Sequence, residues 1–414
     1  MFNLKKHQIA ALVLAAGLPI AAQAQSPRIT GLGQLWYHQM MDNNLRTGLN
    51  STPSPNYYAI SSRYRENGFL FRRAEIKAAA TITSNIDYEI MIDPTASAPS
   101  SYSSSENFLN MLQDFLIKYK LPYGFEVRVG QFKNLQTLEG AVSSSELLLA
   151  ERSMLGRVFG DVRERGATVS VGFGSTDAFG GRVHVGYFNG SAKSATDVNA
   201  QKDIAVRLEM NAGKDHTFGL YTLQGASNQN SAGQANPGTF TGVNTPAPQE
   251  VLDNGDKISD LGAFYRYQTK SIHASAEVIT GALGRRFPVL GGSVAREHLD
   301  QKFMGYVATF AYTFGNHSVI ARYDNMNYNT GDDWYTDYNP YTNSSAGTLR
   351  DGDYTPNFTE ITVGYTYAFN PERIRAANIK VNYINRSKNF LRPRADQTGE
   401  QGGDSVVVAF QVSF

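Results

Sequence analysis

The chain has 414 residues, 38 Lys plus Arg against 37 Asp plus Glu, a net charge of +1 and no cysteine. That balance suggests no polyanionic partner such as nucleic acid, and it leaves stability to something other than disulfides. A mean hydropathy of −0.34 suits a soluble protein, but it suits equally a barrel in which apolar and polar residues alternate and cancel.

The first stretch, MFNLKKHQIAALVLAAGLPIAAQAQ, has a basic start at Lys5 and Lys6, an apolar run from Ile9 to Ile20 and an Ala22-Gln23-Ala24 cleavage signal. It reads as a signal peptide for Sec-type export, residues 1–24, with cleavage near Ala24. Its apolar run is short of the roughly 20 residues of a spanning helix. Removing it takes away two lysines and no acid, so the charge falls from +1 to −1. No later apolar run approaches spanning length, which excludes a helical inner-membrane protein.

Residues 25–414 then show period-two alternation in about sixteen segments, an even number as a bacterial outer-membrane barrel requires. The predicted strands are 29–40, 69–83, 86–93, 108–121, 124–133, 165–174, 181–189, 202–211, 216–225, 259–269, 271–281, 302–314, 317–327, 358–369, 378–386 and 404–414. Phe125, Val127 and Val129 alternate with Glu126, Arg128 and Gly130, so one face meets lipid and the other water. Connections alternate as well. Ser84-Asn85, Pro122-Tyr123 and Gly315-Asn316 are short, whereas 42–68, 134–164, 226–258, 282–301 and 328–357 are long and rich in Ser, Asn, Gly and Pro. A soluble β-sandwich is the alternative, but it does not sort its loops by side in this way.

The chain ends VVVAFQVSF, with Val406, Val408, Phe410, Val412 and Phe414 on one face. Closing a barrel against the first strand removes the free edge and turns that face to lipid. Phe410, Val412 and the terminal Phe414 also look like the signal by which an assembly machinery recognises such barrels for insertion among outer-membrane lipids and lipopolysaccharide.

Three segments carry a family resemblance: FLFRRAEIKAAATITSNIDYEIMID, FLIKYKLPYGFEVRVGQFK and SSSELLLAERSMLGRVFGDVRERGATVSVGF. Their arginine pair, R-x-G-Q-F-K strand end and serine-rich loop with E-R-S resemble the phosphate-selective porin O and P family. The resemblance is specific over residues 69–174 and diffuse elsewhere. It implies a Gram-negative outer-membrane porin, a homotrimer of sixteen-stranded pores, a third long loop folded inward, and basic residues along an anion path.

Read by parity, Ala74, Ile76, Ala78 and Ala80 face lipid, so Arg73, Glu75 and Lys77 face the lumen. Arg72 falls on the lipid parity. It either snorkels at the membrane edge or is turned inward by a bulge. The lumenal set contains about as many bases as acids: Lys118, Lys120, Arg128, Arg207, Arg266, Arg322, Lys380 and Arg386 with Arg73 and Lys77, against Glu75, Asp87, Glu89, Asp93, Asp114, Glu126, Asp203, Glu209, Glu277 and Asp324. Selectivity then depends on which charges lie at the narrowest point.

In the third loop, Ser143 and Glu146 fit a capping box ahead of the helix formers Leu147 to Arg152, so a short helix is expected there. The resemblance implies a lysine beside these serines. Residues 134–151 hold no Lys or Arg, only Glu139, Glu146 and Glu151. Arg72, Arg73, Lys77, Lys118, Lys120, Arg128 and Lys133 are the candidate anion path, and Glu139, Ser143, Ser144, Ser145, Glu146, Glu151 and Arg152 the candidate constriction. Small anions such as phosphate or polyphosphate are the expected cargo, the alternative being a general or weakly cation-leaning porin without phosphate specificity.

Rival functions find little. The seven histidines are scattered, without a G-x-S-x-G elbow or H-E-x-x-H spacing, so no enzyme, catalytic residue, metal or cofactor is expected. A plugged receptor needs an N-terminal plug, for which the first strand leaves no room. An adhesin remains the other rival, on the acidic and aromatic loop NYNTGDDWYTDYNPYTNSS.

Overall fold

The computed structural model describes residues 26–41, 68–97, 111–175, 177–191, 193, 197, 201–227, 256–283, 286–288, 295–297, 301–327, 330, 357–387 and 404–414. The expected signal peptide and the acidic, aromatic segment 331–356 lie outside them.

Sixteen strands close into one antiparallel barrel. They are β1 (Arg28–Met40), β2 (Gly68–Thr83), β3 (Ile86–Ile92), β4 (Leu112–Lys120), β5 (Phe125–Lys133), β6 (Arg163–Gly174), β7 (Phe179–Phe188), β8 (Asp203–Ala212), β9 (His216–Ser227), β10 (Asp256–Gln268) and β11 (Ile272–Leu283), followed after a small hairpin by β14 (Gln301–Phe314), β15 (His317–Asn327), β16 (Asn357–Ala368), β17 (Ala377–Arg386) and β18 (Ser405–Ser413). The hairpin, β12 (Arg286–Pro288) with β13 (Ala295–Glu297), stands apart from the barrel sheet and was not expected. Predicted boundaries agree to a few residues, the largest difference being β4, which starts at Leu112 rather than near 108.

Closure is made by the two ends of the chain. β1 pairs with β18 from Leu32 opposite Ser413 to Met40 opposite Ser405, and Gly31 and Phe414 exchange two backbone hydrogen bonds of 3.1 Å. No strand of the barrel is left with an unpaired edge, as the absence of water in a bilayer core demands. Phe410, Val412 and Phe414 are exposed on the outer face. Val129, Val169, Ile204, Leu220, Leu261 and Val363 lie about half exposed on the same outer surface, where lipid takes the place of a core.

The parity of β2 breaks at the arginine pair. Gln34 of β1 lies opposite Arg73, but the next residue, Leu35, lies opposite Phe71, so Arg72 is the extra residue of a bulge. Phe69 and Phe71 therefore point outward on one side of the bulge and Ile76 on the other. The bulge is the second of the two options open for Arg72, and it turns both guanidiniums inward.

Candidate functional site

The connection from β5 to β6, residues 134–162, lies inside the barrel. A buried loop must find partners for its backbone polar groups, and here the charged side chains of the wall supply them. Carboxylates accept from loop N–H groups: Glu277 Oε1 from Leu138 at 2.7 Å and Asp324 Oδ1 from Met154 at 2.6 Å, with the Asn382 amide oxygen taking Ala150 at 2.7 Å. Basic groups donate to loop carbonyls: Lys380 Nζ to Leu147 at 2.6 Å, Arg322 Nη1 to Glu151 at 2.9 Å, and Arg207 Nη1 to Leu135 and Thr137, both at 3.0 Å. Beneath these bonds Leu138, Met154 and Leu155 pack among Tyr221, Phe264, Ile279, Phe303 and Phe358 on the lumenal side of β9 to β16. A helical turn, α1 (Leu138–Ala141), crosses residues Gly156–Gly160 so closely that a Cβ on Gly140 or Gly160 would overlap the opposing backbone.

The short helix expected in this loop is α1, ahead of the serines, and not the segment Leu147 to Arg152. Ser143 does cap a turn, with Oγ accepting from Ser145 N–H at 3.4 Å, but that turn ends at Glu146 and Leu147 is already extended. Residues 147–152 are irregular, with Leu147, Leu149 and Ala150 buried against the wall. An α-helix there would have turned the Leu147 and Leu149 carbonyls into its own ladder and away from Lys380.

A single buried network ties the loop to β2, β15 and β16. Arg72 Nε and Nη2 donate to Glu151 Oε2 at 3.0 and 2.7 Å, with the guanidinium 5.3 Å from the Trp36 ring centre. Arg73 bonds Gln34 at 2.7 Å and lies 3.7 Å from Glu151. Arg322 reaches Asp324 at 2.6 Å and Glu360 at 3.2 Å, while Glu360 also takes Arg157 at 3.2 Å and Arg386 at 2.8 Å. Burial alone pushes the Glu151 carboxyl up, but Arg72 and Arg73 overcome it and hold the group well below the usual carboxylate range. Asp161 is likewise pushed up by burial and drawn well below that range by Lys133, Arg152 and Arg163.

The three loop acids are thus not a free acidic ring. Glu151 is paired as above, Glu146 pairs with Arg375, and Glu139 accepts Ser153 N–H and lies 3.8 Å from Arg322. Arg152, 1% exposed at the side chain, staples the loop internally to Val142 O at 3.1 Å and Ser144 Oγ at 3.2 Å. Lys133 does the same for Gly140 O and Val142 O, at 3.0 and 2.9 Å.

Across from the serine edge lies an open cavity of about 720 Å³. Its lining includes Arg28, Lys77, Lys118, Arg128, Lys133, Arg163 and Arg373, seven bases, against three acids, Glu75, Glu89 and Asp114. Lys77 and Lys118 share Glu89 at 2.7 and 3.6 Å, Arg128 bonds Glu126 at 2.6 Å, and Lys120 bonds Asp87 at 2.8 Å. Lys118 of β4 stands directly opposite Arg128 of β5. Like charges at such a pair cost stability, so their placement on the water-facing side signals a role other than holding the sheet. Among the described residues no group of His, Asp or Glu is placed to hold a metal ion.

The profile of the family described as "Phosphate-selective porin O and P" matches residues 56–414. The chain belongs to this family. It is an outer-membrane channel for small solutes. No curated protein matches its sequence. Similar solved structures include OmpF of Salmonella typhi in complex with daunomycin (11% identity, 94% of this chain and 97% of that one, TM-score 0.53). The outer membrane channel DcaP of Acinetobacter baumannii (12%, 96% and 100%, TM-score 0.52) and the trimer form of OmpT of Vibrio cholerae (9%, 95% and 100%, TM-score 0.52) are comparable. At such identities the likeness speaks for the fold alone.

Sequence reasoning about this porin missed Glu360 and Asp260. Both lie on the inward parity of their strands, Glu360 between Phe358 and Thr362, so the alternation could have found them. It also passed over Arg373, which sits in a turn where no periodicity operates.

Proposed function

We propose that this porin passes small hydrophilic solutes by passive diffusion with a preference for anions, oxyanions such as phosphate among them. The observation that carries the reading is the lining of the open cavity, where Lys77 and Lys118 share one acid, Glu89, and Arg373 stands exposed, while the acids of the constriction loop are bound to arginines. A permeating ion meets Lys77, Lys118 and Arg128 at 26 to 38% side-chain exposure, and guanidinium groups make forked bonds to oxyanions. Ser143 and Ser145 offer hydroxyls on the opposite side. Charge at the narrowest point sets ion preference, and the whole-wall balance does not.

Export through cleavage near Ala24, insertion guided by Phe410, Val412 and Phe414, and assembly as a homotrimer in lipid and lipopolysaccharide complete the proposal. The trimer form of the Vibrio cholerae neighbour and the family resemblance favour the last of these.

The test is flux into liposomes carrying the purified protein. Chloride and phosphate should enter faster than potassium and small organic cations of similar size; equal entry of both signs would reduce the function to a general porin.

A further inference from the structure

The connection between β16 and β17, residues 369–376, is the longest at the short-turn end of the barrel, which is the periplasmic end in outer-membrane barrels. It is a formed turn. Asn370 O accepts Arg373 N–H at 3.1 Å, Arg373 O accepts Ala376 N–H at 2.9 Å, and Asn378 Nδ2 donates to Ile374 O at 3.0 Å.

This turn reaches the serine edge of the constriction loop from below. Arg375 pairs with Glu146, and the amide of Gln411 clamps the two segments together, donating to Arg375 O at 2.7 Å and to Ser145 O at 3.0 Å. Arg373, two residues earlier, lines the same cavity as Ser143, Ser144 and Ser145. It is exposed, and among the described residues it joins no ion pair.

We infer that the anion path through this cavity is composite, with serine hydroxyls from the constriction loop and the Arg373 guanidinium from the periplasmic turn together receiving the permeating oxyanion. Arg375 and Gln411 are positioning residues that hold the turn against the loop. The charge missing from residues 134–151 is thereby supplied from a different connection, on the opposite end of the barrel. This rests on the anion preference proposed above.

The chain has no cysteine, so Arg373→Cys places a single thiol in the full-length protein. Its reversal potential in a planar bilayer under a potassium chloride gradient is read before and after a methanethiosulfonate reagent bearing either an ammonium or a sulfonate. The unmodified variant should lose anion preference by about threefold, the scale of one unit charge a few ångströms away in water. The ammonium should restore the preference and the sulfonate should push it towards cations. Arg373→Lys should retain most of it. If the native protein prefers anions and none of these changes moves the potential, the inference is overturned and the anion reading stands. If the native protein shows no anion preference, the reading fails and the inference falls with it.

Discussion

Two sets of basic side chains face the same lumen by the same alternation, and they do opposite things. On β8, β15 and β17, Arg207, Arg322 and Lys380 are buried, bound to loop carbonyls and, for the two arginines, to wall carboxylates. On β2, β4 and β5, Lys77, Lys118 and Arg128 keep a quarter to a third or more of their side-chain surface in water. The difference is made by the loop, which covers one wall and leaves the other open. Facing the lumen therefore decides only that a side chain is polar; whether it holds the structure or meets the solute depends on what lies over it.

The largest effect is expected at Arg322. Replacing it with Ala leaves Asp324 and Glu360 buried with one partner fewer, a change of about 3 kcal/mol or more. The barrel should unfold at a clearly lower temperature, followed by loss of sheet signal on heating in detergent. Lys118→Ala with Arg128→Ala should do the reverse: an unfolding temperature within a degree or so of the native one, since the pair repels, but anion over cation permeability reduced about ninefold.

A sharper division comes from pH. A carboxylate held below its ordinary value contributes stability that is present above the unfolded pKa and lost only as pH falls through the folded one. Glu151 and Asp161 lie well below the carboxylate range, so the pairs of Glu151 with Arg72 and of Asp161 with Lys133 should stay intact from pH 7 to about 4 and break only in stronger acid. Trp36 lies beneath Arg72, and with Trp334→Phe it is the sole tryptophan. Its emission should hold constant to about pH 4 and shift to the red below that. A shift near pH 6 would mean that the arginines do not control Glu151. The smallest effect is expected for Lys120→Ala: unlike Lys77, Lys118 and Arg128 it does not line the open cavity, and its half-exposed pair with Asp87 is worth about 0.5 kcal/mol or less, so neither selectivity nor melting should change measurably.

Much of this architecture was legible because lipid on one side and water on the other impose a period of two on every strand. The strand order, the closure of Val406 to Phe414 against β1 and the inward set of charges all follow from it. The arginine pair was legible as a conflict, since Phe69 and Phe71 share one parity and Ile76 the other; a bulge at Arg72 is what reconciles them. The loop was harder to read. Its capping box from Ser143 to Glu146 is a local signal, and the turn it starts is cut short by long-range bonds to Lys380 and Asn382 more than 200 positions away. Which charges pair across the lumen, and hence which remain for the solute, is likewise set by loop placement and not by any spacing along the chain.

The measurement that bears most directly on the anion reading is the reversal potential of the purified native protein in a planar bilayer under a potassium chloride gradient, repeated with phosphate added. An anion-side potential and a chloride current reduced by phosphate are expected. A potential at zero or on the cation side would contradict that reading, and would mean that the bases of the open wall are already neutralised where the ion passes.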